Sequence, residues 1–182
     1  MTSGSIRRIV VMGVSGSGKT AIGSALAAQL GWRFIDAGDL HPAVNIAKMS
    51  NGVPLTDRDR EPWLAEVAQQ LASGREAIAA CSALRRSYRR TIAAAAPGAF
   101  FVHLAVPAAM LATRMQARSG HFMPASFLNS QLATLEPLDA GESGMTVDAA
   151  RELDDVVAEL AVRLTESEGI VEGPALNRPP VA

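Results

Sequence analysis

The segment from Gly13 to Thr20, GVSGSGKT, restricts the fold of this chain more than any other stretch. It matches G-x-x-x-x-G-K-[ST] in full. A β-branched run, Ile6–Met12, precedes it and predicts a buried strand, and an Ala/Leu-rich helix over Lys19–Leu30, stopping at Gly31, follows. A strand, a glycine loop and a helix in that order form a phosphate-binding loop. Glycines let consecutive backbone N–H groups turn toward phosphate oxygens, and the helix N-terminus adds partial positive charge. Gly13, Ser15, Gly16, Ser17, Gly18, Lys19 and Thr20 are therefore expected to hold a nucleoside triphosphate. Lys19 reaches the β- and γ-phosphates, and the Thr20 hydroxyl ligates magnesium.

The rest of the chain repeats the strand–helix alternation. Strands are expected at Trp32–Asp36, Glu76–Cys81, Ala99–Val106 and Met145–Asp148. Helices fall over 42–49, from Thr56 or Asp57 to near Gly74, and over 84–96, 107–118, 125–135 and 149–165. Such alternation gives a parallel sheet with helices on both faces. The expected architecture is a three-layer α/β P-loop NTPase fold with a five-stranded parallel sheet. Its 182 residues suit a single domain over 1–182, with a Pro-rich tail over 168–182 expected to be disordered.

Composition narrows the partners. A net charge of −1 gives no electrostatic reason to expect nucleic acid or an anionic membrane. No apolar run approaches the roughly 18 residues of a membrane span. The single cysteine, Cys81, excludes an intrachain disulfide and fits a reducing compartment, so the cytoplasm is the expected location. Cys81 is expected as a small buried hydrophobe, and Trp63 and Leu64 as packing residues of their helix.

A triphosphate loop alone does not separate a kinase from a GTPase or a motor. The chain has no N-K-x-D guanine motif, and neither the third strand, ending at Cys81, nor the fourth, ending at Val106, closes on an apolar run plus aspartate. The acidic residue at a strand end near the loop is Asp36, which favours a small-metabolite kinase.

Longer motifs then carry a family resemblance. HPAVNIAKMSNGVPLTDRDREPWL, 41–64, resembles the gluconokinase pattern H-P-x-x-N-x-x-K-M-x-x-G-x-P-L-x-D-x-D-R-x-P-W-L at every fixed position. CSALRRSYR, 81–89, is similar to the family's C-S-A-L-K-R-x-Y-R, and 114–137 looks like its lid and following helix. The resemblance implies the fold of shikimate and nucleoside-monophosphate kinases, a mobile lid over about 114–130 and a homodimer. It implies transfer of phosphate from ATP, with Mg²⁺, to the small-molecule substrate gluconate. Arg60, Arg86 and Arg89 are expected at the carboxylate, because a guanidinium binds it through two parallel hydrogen bonds. His41, Lys48 and Ser82 are expected at the hydroxyls, and His121 in the lid loop. Arg114 and Arg118, four apart on one helix, are expected to face the triphosphate.

The resemblance breaks at one position. Gluconokinases write the second strand end as F-[IL]-[DE]-[GA]-D-x-L-H-P, and here the segment is FIDAGDLHP, 34–42. Asp36 fills the first acidic position and, with Thr20, the magnesium side. Gly38 stands where the family places its proton-accepting aspartate, and Asp39 follows one residue late. A one-residue step along extended chain points a side chain to the opposite face, whereas a turn after the strand, with unusual dihedrals at Gly38, would swing Asp39 inward. The catalytic set expected is thus Lys19, Asp36, Asp39 and Arg118. A kinase for another sugar acid, or a binding-competent form with impaired turnover, are the alternatives that remain.

Overall fold

The computed structural model describes residues 6–117 and 125–166. The chain runs β1 (Arg8–Met12), α1 (Lys19–Leu30), β2 (Arg33–Asp36), a 3-10 turn (Ala37–Leu40), α2 (Ala43–Ser50) and α3 (Asp57–Ala72). It continues β3 (Ala77–Ala80), α4 (Arg86–Ala95), β4 (Ala99–Ala105), α5 (Ala108–Gln116), α6 (Ala125–Thr134), β5 (Gly144–Asp148) and α7 (Leu153–Glu166). The five strands are all parallel, in the order β2-β3-β1-β4-β5.

Alternation along β1 divides the interior. Val10 and Met12 face Trp63, Leu64, Val67, Leu71 and Ile92 of α3 and α4, whereas Ile9 and Val11 face Ile22 and Leu26 of α1 and Leu160 and Leu164 of α7. The sheet is thus buried on both faces, which accounts for near-continuous apolar strands rather than an alternating pattern. β3 is only Ala-Ile-Ala-Ala, yet all four residues are buried, because its neighbours β1 and β2 and the flanking helices supply the bulk.

Helix ends follow local chemistry. Thr56 accepts from the Asp59 N–H while the Asp59 carboxylate accepts from the Thr56 N–H, a reciprocal cap that fixes the start of α3. Helix α1 has no side-chain cap and no acidic residue in its first turn, so its N-terminal amides remain available to an anion. Helix α7 starts at Leu153, later than the expected 149, because Asp148 Oδ1 accepts from the Ala150 N–H at 2.9 Å and turns the chain there.

In an open parallel sheet, ligands sit beyond the carboxyl ends of the strands. That edge gathers the loop after β1, Asp36 at the end of β2, Ser82 after β3 and residues 149–153 after β5. Of the expected lid, residues 118–124 lie outside the described residues, and so does the tail over 168–182.

Candidate active site

The phosphate loop bends through Gly16 and Gly18, whose φ angles of 82° and 94° lie in the left-handed region that favours glycine. Lys19 Nζ donates to the Val14 carbonyl at 2.9 Å across the loop. Ser17 is completely buried beneath it. Thr20 Oγ1 donates to Asp36 Oδ2 at 2.8 Å, so the hydroxyl and the carboxylate expected at magnesium stand side by side. One carboxylate and one hydroxyl suit that ion, which keeps waters and takes further oxygens from phosphates. Among the described residues there is no cluster of three or more His, Cys, Asp or Glu side chains able to hold a metal without such help.

Beside the loop, a cleft of about 500 Å³ is lined by Gly16, Ser17, Gly18, Met110, Arg114 and residues 149–153. Arg114 Nη2 donates to the Ala149 carbonyl at 3.1 Å, which holds the guanidinium against the cleft wall. The β5–α7 segment was not foreseen as part of a site, since it carries no motif.

A second, smaller pocket of about 50 Å³ lies where Arg60, Ser82, Tyr88 and Gln131 meet. The Arg60 guanidinium stands 5.6 Å from the centre of the Tyr88 ring and donates to the Leu55 carbonyl. The Tyr88 hydroxyl donates to Asp57, whose other oxygen pairs with Arg85 at 2.7 Å. The Gly13 N–H donates to the Ser82 carbonyl at 3.3 Å, joining this pocket to the phosphate loop.

Two of the three arginines expected at a substrate carboxylate are placed elsewhere. Arg89 is 1% exposed, and Glu142 takes its Nε and Nη2 at 2.6 and 2.8 Å. Its Nη1 donates to the carbonyls of Ala83, Leu84 and Glu136, and Nη2 also to that of Pro137. Every guanidinium nitrogen is engaged, so Arg89 is a buried clamp and not a substrate ligand. Arg86 pairs with Asp139 at 2.7 Å, and its backbone N–H is held by Glu136, so it faces the 136–142 segment instead of the pocket. Lys48 reaches Asp59 at 2.6 Å and ties α2 to α3. That bond and the Thr56 bonds hold the Asp59 carboxyl well below its usual range. Arg118 and His121 lie outside the described residues.

The acidic segment takes the turned path of the two open to it. After Asp36 the backbone does not continue extended but winds into the 3-10 turn, with Asp36 Oδ1 accepting from the Gly38 N–H at 2.9 Å. At roughly three residues per turn, the strand alternation that would turn Asp39 directly away no longer applies. Asp39 is nevertheless exposed, and makes no hydrogen bond or ion pair among the described residues. Gly38 has no positive φ, and a Cβ there would lie 3.0 Å from Asp36 Oδ1. His41 stacks on Trp63 with centroids 4.2 Å apart and planes 11° off parallel. Trp63 Nε1 donates to the Ala37 carbonyl at 2.7 Å, so this indole does more than pack its helix: it seats the turn and the histidine together. Burial, and then the charge of Arg60, lower the His41 pKa and favour the neutral ring. Cys81 is buried, with its thiol pushed up to about 12 by burial, and is inert as expected.

Comparison with known proteins decides the family. Residues 9–138 match the AAA domain family model. The gluconokinase of Gluconobacter oxydans (strain 621H) is 48% identical over 158 residues, covering 85% of this chain and 89% of that protein. The chain belongs to the gluconokinase family. A gluconokinase crystal structure from Sinorhizobium meliloti 1021 superposes with a TM-score of 0.83 at 47% identity, covering 90% of this chain and 94% of that one. Shikimate kinase from Acinetobacter baumannii shares the fold at a TM-score of 0.57 and 17% identity, covering 89% of this chain and 94% of that one.

Proposed function

We propose that this gluconokinase transfers the terminal phosphoryl group of ATP to the C6 hydroxyl of D-gluconate, giving 6-phospho-D-gluconate and ADP. The observation that carries the reading is the junction of loop and pocket, where the Gly13 N–H meets the Ser82 carbonyl, in a chain 48% identical to a gluconokinase. The base and ribose of ATP occupy the larger cleft against Arg114 and residues 149–153, and the phosphates follow the loop toward Lys19. Arg60 binds the gluconate carboxylate, and Ser82 and His41 contact its hydroxyls. The neutral imidazole of His41 offers one donor and one acceptor to a polyol.

Little covalent chemistry is asked of the protein in such a transfer, which relies on positioning and charge neutralisation. Thr20 and Asp36 would hold a magnesium ion, which would supply positive charge against the phosphate oxygens. Lys19 adds a positive charge at the transferring group. The acceptor oxygen bonds to the γ-phosphorus as the bond to the bridging oxygen breaks. Asp36 is committed to the metal side, and Asp39 takes the hydroxyl proton at reduced efficiency because it starts from solvent. The homodimer and the cytoplasmic location belong to the same reading; among the described residues no helix is long and apolar enough to cross a membrane.

An acceptor panel tests the reading. With ATP and magnesium, kcat/KM is expected to be highest for gluconate among sugar acids and shikimate, and Lys19→Ala should remove nearly all turnover. A higher value for another acid would reassign the substrate.

A further inference from the structure

Gln131 lies in the 114–137 segment that resembles the family's lid and following helix, and its side chain is a second point at which phosphate loop and acceptor pocket meet. Its Oε1 accepts from the Ser15 N–H at 2.6 Å, across 116 residues of sequence. The same side chain lines the small pocket with Arg60, Ser82 and Tyr88. Gly16, Ser17 and Gly18 face the larger cleft, so Ser15 is on the shoulder of the loop nearest the acceptor. The amide orientation follows from chemistry, because a backbone N–H can only donate and therefore meets the oxygen.

The helix that carries Gln131 is fixed at several points. Leu128 packs with Val14, Leu84 and Leu111. Just beyond the helix, the Glu136 N–H donates to the Leu84 carbonyl at 2.8 Å, and Arg89 holds the carbonyls of Glu136 and Pro137. A carboxamide on such a fixed helix changes partner by rotating its own side chain.

We propose that the Gln131 carboxamide is exchanged between the two sites: it occupies the Ser15 N–H until a phosphate oxygen replaces it, and then orients the acceptor hydroxyl in the pocket whose wall it forms. An anionic phosphate oxygen is the stronger acceptor, so nucleotide wins the amide. The released carboxamide offers two N–H donors, and one of them can donate to the acceptor oxygen and fix its position toward the phosphorus while the O–H stays with Asp39. ATP binding thereby prepares the acceptor site without any movement of the backbone.

The acceptor half of this proposal rests on the gluconate reading, and the nucleotide half does not. Calorimetry with magnesium and the non-hydrolysable β,γ-imido analogue of ATP, without acceptor, is combined with steady-state kinetics on gluconate. Gln131→Ala is expected to bind the analogue about two- to tenfold tighter, since no hydrogen bond has to be exchanged, while kcat/KM for gluconate falls about tenfold or more. Gln131→Glu should bind it about tenfold weaker, because a carboxylate holds the Ser15 N–H harder and repels phosphate. A residue that merely pegs its helix to the loop would instead weaken both ligands on truncation. Unchanged or weaker analogue binding by Gln131→Ala, or an unchanged kcat/KM for gluconate, overturns the proposal. Should the wild type turn over no gluconate at all, the function reading fails by itself, and the opposite signs of the Ala and Glu variants in calorimetry still decide Gln131.

Discussion

Asp36 carries two jobs that draw on its two oxygens. One takes the Thr20 hydroxyl, on the side proposed for magnesium; the other caps the 3-10 turn through the Gly38 N–H. The first was legible in the sequence, because a phosphate loop and an acidic strand end are both local patterns. The second was not. A single Asx-type hydrogen bond decides between the extended and turned paths that the sequence left open at Gly38, and with it the direction of Asp39. Gly38→Asp is expected to raise kcat, by less than the roughly hundredfold that a well-placed base supplies elsewhere, since phosphoryl transfer demands little of one. The backbone at residue 38 admits a side chain, though its Cβ must shift slightly from Asp36 Oδ1. Steady-state kcat on gluconate measures the effect; an unchanged or lower value would mean that Asp39 or Asp36 already serves.

At the scale of elements, the Arg89–Glu142 pair ties α4 to the chain after α6. Arg89 was expected at a substrate because an arginine in a matched motif looks like a ligand, and its true partner is 53 residues away, where no local pattern points to it. Ala83, with a φ of 43°, is one of the carbonyls it holds, so the clamp also steadies a left-handed residue next to Ser82. Arg89→Met should cost about 3–5 kcal/mol of stability, because Glu142 is then left charged and unpaired, and a urea denaturation series checks it. Arg89, chiefly through its hydrogen bond, lowers the Glu142 pKa from its ordinary 4.5. A carboxyl depressed in the folded state stabilises fully above its unfolded pKa, and that contribution is lost as pH falls through the folded value. The wild type should therefore lose stability as pH drops below about 4.5, and Glu142→Gln, tested by thermal melts over the same range, should be less stable at neutral pH with a shallower acid dependence.

For the whole molecule, five parallel strands with helices on both faces were readable from the strand–helix alternation, and the start of α3 from Thr56 or Asp57, whereas the strand order and the Asp59 half of the cap were not. What stayed hidden were junctions between distant segments: Gln131 on Ser15, Trp63 beneath the acidic turn, and residues 149–153 beside the loop. Each depends on how the sheet edge brings loops together, which spacing along one chain does not encode. Delivery of the γ-phosphoryl group to gluconate at this edge can be followed in a ³¹P spectrum of the purified protein with ATP, magnesium and gluconate. The expected product is a phosphate monoester on C6 of gluconate, appearing in equal amount to ADP. ADP accompanied only by inorganic phosphate, or no ADP at all, would contradict that delivery.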